Sequence, residues 1–289
     1  MTKKASSSHG GLHPKAHLLG EGLRPKNAFG QNFLSDENEQ SIIAQIAVGP
    51  SHPQAVVVEW GAGLGALTRR LLRLAPCVHV VERDRDLVPL LGVTFADAIA
   101  QGALVVHEAN ATTFPVEDLL DEHAPPQLKL CGNLPYHLTS KLLFRTLELA
   151  PRLLSASFLI QLEVAERIAA GPGNRTYGML SVLLQSRFDV ELVHKVPRDA
   201  FWPPPKVDGG VIRLVPLEHD PLTASERLIF TDIVKAAFQK RRKTLRNALS
   251  SYDALEPIFQ RLGLSLKQRA ETLNVEDYVA LAKHLAERE

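Results

Sequence analysis

The chain has 289 residues, 45% hydrophobic and 22% charged with a net charge of +1, the profile of an ordinary globular protein with room for one large α/β domain and a smaller one. No apolar stretch reaches the length that crosses a bilayer, the start MTKKASSSHGGLHPK lacks the apolar core of a secretion signal, and a cytoplasmic location is expected. Cys77 and Cys131 sit in apolar runs without metal-like spacing, which argues for buried thiols and against a disulfide or a metal site, and the near-neutral total means that a nucleic-acid partner must be sought in local basic patches.

Residues 1 to 24 are rich in Ser, Gly, Lys and His without periodicity and read as a mobile basic arm. From 55 onward, short β-branched runs alternate with helical patterns: AVVVEWG, CVHVVER, ALVVHEA, QLKLCGN and SASFLIQLE. That alternation predicts a mostly parallel sheet covered by helices, the Rossmann-like arrangement. FDVELVHKV (188–196) and GGVIRLVP (209–216) are joined by a proline-rich loop too short for a crossover helix, so an antiparallel pair is expected at the sheet edge. After about 219 the strand signals stop, and two amphipathic patterns predict a small helical domain over 219–289, leaving 25–218 for the α/β domain.

Polar signals collect at the strand ends. In VVVEWGAGLGALTRRLL an apolar strand runs into Gly61, Gly63 and Gly65 before a helix pattern, so the backbone can turn sharply and approach a ligand closely. Such a turn is also common for purely structural reasons. Glu82, however, ends the next strand twenty-one residues after Gly61, and a carboxylate there can accept both hydroxyls of a ribose. The Gly-x-Gly-x-Gly spacing suits a nucleoside without a pyrophosphate, and Glu59 can approach a cationic group, which together point to S-adenosylmethionine. Asn110 follows the third strand, where an amide oxygen can accept the exocyclic amine of an adenine; a turn-forming Asn fits equally well.

The stretch CGNLPYHLTS closes the fourth strand beside the expected crevice. Taken alone it is a turn, but at that place it suits methyl transfer to an aromatic amine, whose lone pair is delocalised. The Asn133 side-chain oxygen and the Leu134 carbonyl can hold the amine hydrogens as the nitrogen pyramidalises, Pro135 can fix that carbonyl inward, and Tyr136 offers a face for a base rotated out of its helix.

Seven segments in order, KNAFGQNFL, EWGAGLG, VVERD, NLPY, LEVAERIAAGPGNRTYGMLSVLLQ, FWPPPKVDGG and FQKRRKTLRNAL, resemble the KsgA-type small-subunit ribosomal RNA adenine dimethyltransferases over residues 24 to 285. The resemblance implies S-adenosylmethionine-dependent dimethylation of N6 of two adjacent adenosines in a hairpin near the 3′ end of that RNA, on the immature subunit; nothing in the sequence sets an oligomeric state, and a monomer is the default expectation. It implies that Asn32 and Leu34 close over the cofactor, that Gly61 meets its methionine part, Glu82 its ribose and Asn110 its adenine, and that Asn133 stands between cofactor and amine. The family usually carries Asp where Asn110 stands and EIGPG where EWGAG stands, which puts the adenine contact and the packing around the loop in question. Phe201 before the prolines is a candidate second wall for the flipped base or else a buried anchor of the loop, with Lys206 facing the RNA. KAAFQKRRKTLR carries six Lys or Arg and no acid. Lys235, Lys240, Arg241, Arg242, Lys243 and Arg246 are its candidate phosphate contacts, with Lys235, Arg242 and Arg246 sharing one face of a continuous helix. Two other readings stay open, a related large-subunit RNA methyltransferase of the antibiotic-resistance type and a catalytically silent RNA-binding assembly factor of the same fold.

Overall fold

The computed structural model describes residues 13–26, 29–50, 52, 54–120, 127–240, 243–252 and 255–287. In chain order the elements are α1 (Pro14–Gly20), β1 (Phe33–Leu34), α2 (Glu37–Val48), β2 (Val56–Trp60), α3 (Ala66–Leu71), β3 (Val78–Glu82), α4 (Leu87–Thr94), α5 (Ala96–Ala100), β4 (Leu104–Glu108), β5 (Leu128–Asn133), α6 (Thr139–Leu149), β6 (Leu153–Gln161), α7 (Leu162–Ile168), α8 (Met179–Gln185), β7 (Phe188–Val196), β8 (Phe201–Trp202), β9 (Gly209–Pro216), α9 (Ala224–Gln239), α10 (Leu245–Ala248), α11 (Leu255–Arg261) and α12 (Val275–Ala286).

Seven strands form one sheet in the order β4-β3-β2-β5-β6-β9-β7, and β1 pairs with β8 in a separate two-stranded ribbon. Strands β4 through β6 run parallel, whereas β9 is antiparallel to both β6 and β7. The expected antiparallel pair is therefore present, and the later strand is inserted between β6 and β7. Consecutive residues of the central strands are buried on opposite faces. Val58, Trp60, Leu130 and Phe158 join a core that includes Leu142 and Leu143 of α6, while Val57, Val80 and Cys131 join one that includes Ile43 of α2 and Leu67 of α3. This two-sided burial is why these strands read as continuous apolar runs. Both cysteines are free, Cys131 buried and Cys77 half-buried. Among the described residues no helix is long and apolar enough to cross a membrane.

Because β3 lies on one side of β2 and β5 on the other, the strand order reverses at β2, and the loops after β2 and β5 face each other across a crevice. Their approach is close. A Cβ built on Gly132 would lie 2.3 Å from the carbonyl oxygen of Trp60.

Two expectations need correction. Residues 1–12 of the arm expected to be mobile to residue 24 lie outside the described residues, but from Pro14 to Gly20 it is helical: α1 begins with proline, the Lys15 N–H is accepted by the His13 ring, and Leu18 is buried against Phe33, Leu64 and Leu87. Nor is the basic run one helix. Helix α9, opened by a Thr223/Glu226 capping box, stops at Gln239, where Lys240 leaves the helical region with φ −113° and ψ 54°. The next helix restarts at Leu245, whose N–H and that of Arg246 bond to the carbonyls of Gln268 and Leu266. Lys235 and Arg246 thus lie on separate helices. The apolar residues keep their role, since Val234, Leu245 and Leu249 share a helical core with Tyr177, Val182 and Leu183.

The β2–β5 approach makes Gly132→Ala a severe substitution. Its methyl has only backbone to meet, so strand separation is expected to cost on the order of 3 kcal/mol or more, measurable as a shifted midpoint in urea; an unchanged midpoint would mean that the strands can part freely.

Candidate active site at the strand tips

One cavity opens at the carboxyl ends of β2, β3 and β5, and it is lined by Asn32, Leu34, Glu59, Gly61, Gly63, Glu82, Asn110, Asn133, Leu134, Pro135 and Tyr136. The sheet topology brings most of these scattered residues together: those from Glu59 onward lie at or just after the carboxyl ends of parallel strands, which meet at one edge, while Asn32 and Leu34 flank Phe33 at the β1 ribbon.

The glycine turn is shaped by its backbone. Gly61 and Gly63 have φ of 76° and 59°, values that only glycine adopts without strain, and Gly61 N–H donates to the Val81 carbonyl at 2.9 Å. Glu82 holds the turn from the other side. Its Oε2 accepts the Gly63 N–H, and its Oε1 accepts the N–H groups of Arg83 and Asp84, all at 2.8 Å. Three backbone dipoles stabilise this buried charge. One lone-pair site, on Oε2, remains for a further donor.

Glu59 is only 1% exposed, and the Thr68 hydroxyl donates to its Oε2 at 2.5 Å. Burial pushes its pKa up to about 7; Thr68 opposes the rise and the Glu82 charge adds to it. The cavity thus holds an acid poised near neutrality, lacking a cationic partner among the described residues.

The two amides are oriented by unambiguous partners. Asn133 Nδ2 donates to the Asn32 carbonyl at 3.0 Å, which leaves Oδ1 as an acceptor. Asn110 is reversed: its Oδ1 accepts both the Thr112 N–H at 3.1 Å and the Thr112 hydroxyl at 3.0 Å. The oxygen expected to receive an adenine amine is therefore engaged in a turn, and Nδ2 is the group left over. Leu134 is anchored by its N–H to Leu159 of β6 at 3.0 Å, and no described residue donates to its carbonyl. Next, the Pro135 carbonyl accepts the Leu138 N–H and the Thr139 hydroxyl, which turns the chain into α6. Tyr136 is half-buried, and burial raises its phenol above the ordinary value.

A strap over the cavity was not visible in local sequence pattern. Phe29, Gly30 and Gln31 line the cavity with Asn32. Lys26 Nζ reaches Asp84 at 2.5 Å and Asp86 at 2.6 Å, and Gln31 Nε2 donates to Asp84 at 2.7 Å. Burial alone would push Asp84 up, yet Lys26, the Asp86 N–H and Gln31 together hold it below the usual carboxylate range. The Phe29 ring lies 5.4 Å from the Lys26 ammonium and 5.3 Å from the Arg83 guanidinium. Trp60, His137, Leu138 and Leu142 line the cavity as well.

Other expected site residues lie elsewhere. Phe201 is 4% exposed and packs in the core with Leu34, Val196 and Val211. It anchors the ribbon opposite Leu34 and lines no part of the cavity. Lys206, Lys235, Lys240 and Lys243 are exposed outside it, and Arg241 and Arg242 lie outside the described residues. Arg246 is exposed but paired with Glu256 at 2.6 Å.

Against this geometry, comparison with known proteins is direct. The family model described as ribosomal RNA adenine dimethylase matches residues 22–287. The ribosomal RNA small subunit methyltransferase A of Thiobacillus denitrificans is 43% identical over 266 residues, covering 91% of this chain and 99% of that protein. The protein of the same name from Laribacter hongkongensis is 42% identical, covering 91% and 97%. Among solved structures, a dimethyladenosine transferase from Plasmodium falciparum shares the fold with a TM-score of 0.72 at 23% identity, over 89% of this chain and 98% of its own. The 23S rRNA methyltransferase ErmE aligns with a TM-score of 0.67 at 26% identity, over 88% and 100%.

A cationic ligand beside Glu59 favours the ionised acid. Its binding should release a proton below pH 7, so that S-adenosylmethionine affinity rises as pH climbs toward about 7 and then levels. The ligand-free protein should behave in the opposite sense. A folded-state pKa raised above the unfolded one costs stability as pH rises between them, at most on the order of 3 kcal/mol. Glu59→Gln should abolish the pH dependence of binding and raise the ligand-free stability at pH 8. Titration calorimetry in buffers of different ionisation heat, with thermal melts, measures both, and a flat affinity profile in the wild type would refute the assignment.

Proposed function

Since the chain belongs to the ribosomal RNA adenine dimethylase family and is an S-adenosylmethionine-dependent methyltransferase, we propose that it dimethylates N6 of two adjacent adenosines in the hairpin near the 3′ end of small-subunit ribosomal RNA. In this reading it acts as a cytoplasmic monomer on the immature subunit. Relatives named for the small subunit, more than 40% identical over nearly their whole length, support the choice of RNA.

The residues present fit the cofactor. Two left-handed glycines keep side chains off the turn, Glu82 has a lone pair open on Oε2 for a ribose hydroxyl, and Glu59 is an uncompensated acid for a cationic group. Bound there, S-adenosylmethionine supplies a methyl group activated by its positive sulfur. The protein's own task is to present the amine. Asn133 Oδ1 and the Leu134 carbonyl accept its hydrogens as the nitrogen gains positive charge, Asn32 and Pro135 hold those two acceptors in place, and Tyr136 stacks on the base. The observation that carries this reading is the Asn133 amide, fixed by donation to the Asn32 carbonyl with its oxygen left toward the cavity. In the proposed division of labour 25–218 performs the chemistry. Lys206 and the cations of 219–289 contact phosphates, with Arg246 exchanging Glu256 for RNA.

The likeness to ErmE, whose printed substrate is 23S rRNA, keeps a large-subunit substrate as the second reading. Purified protein with labelled S-adenosylmethionine, offered unmethylated small subunits and naked large-subunit RNA, should modify only the former and yield dimethyladenosine. Asn133→Ala should slow that transfer by about 100-fold or more without weakening RNA binding. Dimethyladenosine only in the large-subunit RNA would replace the proposal with the second reading, and none in either would support a silent binding factor. Asn110→Asp keeps an oxygen for the Thr112 turn and adds an acceptor, so S-adenosylmethionine affinity is expected to rise about tenfold; calorimetry showing weaker binding would mean that Nδ2 already donates to the adenine.

A further inference from the structure

A second cavity, of about 150 Å³, lies between α1 and the first turns of α2 and α3, and Leu34, Leu64 and Ala66 line both it and the active-site cavity. Its charge is unbalanced. His13, His17, Arg69 and Arg70 line it, and Glu37 is the one acid among the lining residues. Glu37 is already engaged, accepting from Arg70 Nη2 at 2.7 Å, while Gln40 takes the Arg70 Nε at 3.4 Å. Arg69 has no carboxylate within ion-pair distance among the described residues. Its guanidinium lies 5.2 Å from the centre of the Phe95 ring, and burial, followed by the charges of Arg70 and Arg73, disfavours its protonated form, with the Glu37 charge opposing only in part. A half-buried guanidinium in such a place is costly until an anion joins it.

The donors suit a tetrahedral anion. Arg69 offers a fork of N–H groups. The His13 Nδ1 accepts the Lys15 N–H at 3.2 Å, so the neutral ring keeps its proton on Nε2 as a second donor, and His17 lies one helical turn away on the same wall. This wall is assembled by the burial of Leu18 against Phe33, Leu64 and Leu87.

We propose that this cavity binds a phosphate group, held by Arg69 with His13 and His17. The phosphate belongs either to the RNA backbone or to a free phosphate compound. The site is inferred from the charge imbalance and not from the methyltransferase reading; only the RNA source draws on that reading.

Full-length protein tests it in two arms. Inorganic phosphate should raise the melting temperature of the wild type and shift the ring signals of His13 and His17 in NMR, and Arg69→Gln should lose both effects while Arg69→Lys keeps part of them. Without phosphate, Arg69→Gln should be no less stable than the wild type, because it removes a half-buried charge that has no ion-pair partner among the described residues. In the second arm, binding of a small-subunit RNA hairpin is measured across salt concentrations. A backbone phosphate at Arg69 predicts that Arg69→Gln flattens the log–log slope by about 0.7 to 0.9, whereas a free phosphate compound predicts an unchanged slope alongside the effects of the first arm. S-adenosylmethionine affinity should not change in either case, which separates failure of this site from failure of the methyltransferase assignment. An unchanged RNA slope, together with phosphate effects that are absent or persist in Arg69→Gln, overturns the proposal.

Discussion

The carboxylate of Glu82 holds the cavity together. With two oxygens it accepts N–H groups from the glycine turn, through Gly63, and from the chain leaving β3, through Arg83 and Asp84. A parallel sheet fixes where its strands end but leaves the connecting loops free, and each of these loops has backbone donors to satisfy at a partly buried place. Glu82 satisfies three of them at once. The tie continues outward, since Asp84 binds Lys26 and Gln31 of the strap, and the strap ends at the Asn32 carbonyl that orients Asn133. A hydrogen-bonded chain therefore runs from the β3 tip, where a ribose is proposed to sit, to the β5 tip, where an amine is proposed to be held.

Glu59 lies beneath this chain and works against folding. It is buried, it shares its field with Glu82, and no cation offsets it among the described residues. Two nearby acids in a cavity are a liability in the ligand-free protein and an advantage once a positively charged ligand arrives, because the same desolvation that raises the Glu59 pKa strengthens its attraction for a cation. The Thr68 hydroxyl reduces the penalty without removing the charge. Stability is yielded at the place where the chemistry calls for it.

What was legible in the sequence follows from how local each signal is. The strands showed themselves as β-branched runs because burial on both faces leaves few polar positions, among them Glu59, Lys129 and Ser157, and the strand-end residues followed once the sheet was inferred to be parallel. Local reading failed where distant contacts decide. Leu18 marks α1 only through Phe33, Leu64 and Leu87, so a Ser- and Gly-rich start concealed a docked helix. Phe201 and Trp202 are neighbours in a proline-rich loop, and the pairing of Phe201 with Leu34 sends its ring into the core. The basic run read as one helix because helical period continues across 240–244, whereas backbone bonds to Gln268 and Leu266 restart the helix at Leu245. The strap depends on Lys26 meeting Asp84 across 58 residues, a contact with no local pattern at all.

The two asparagines show how much chemical direction an amide acquires from one fixed neighbour. The partner of Asn133 is a carbonyl, which only an N–H group can approach, so its oxygen must be the free end; the partner of Asn110 includes a backbone N–H, so its nitrogen must be. The cavity therefore presents an acceptor at the β5 tip and a donor beside the β4 tip. An amine about to gain positive charge is stabilised only at the first, because a donor there would repel its hydrogens. Side chains of one residue type can thus divide between transfer and binding, and the division is set by the Asn32 carbonyl and the Thr112 N–H, two backbone groups outside the reacting centre.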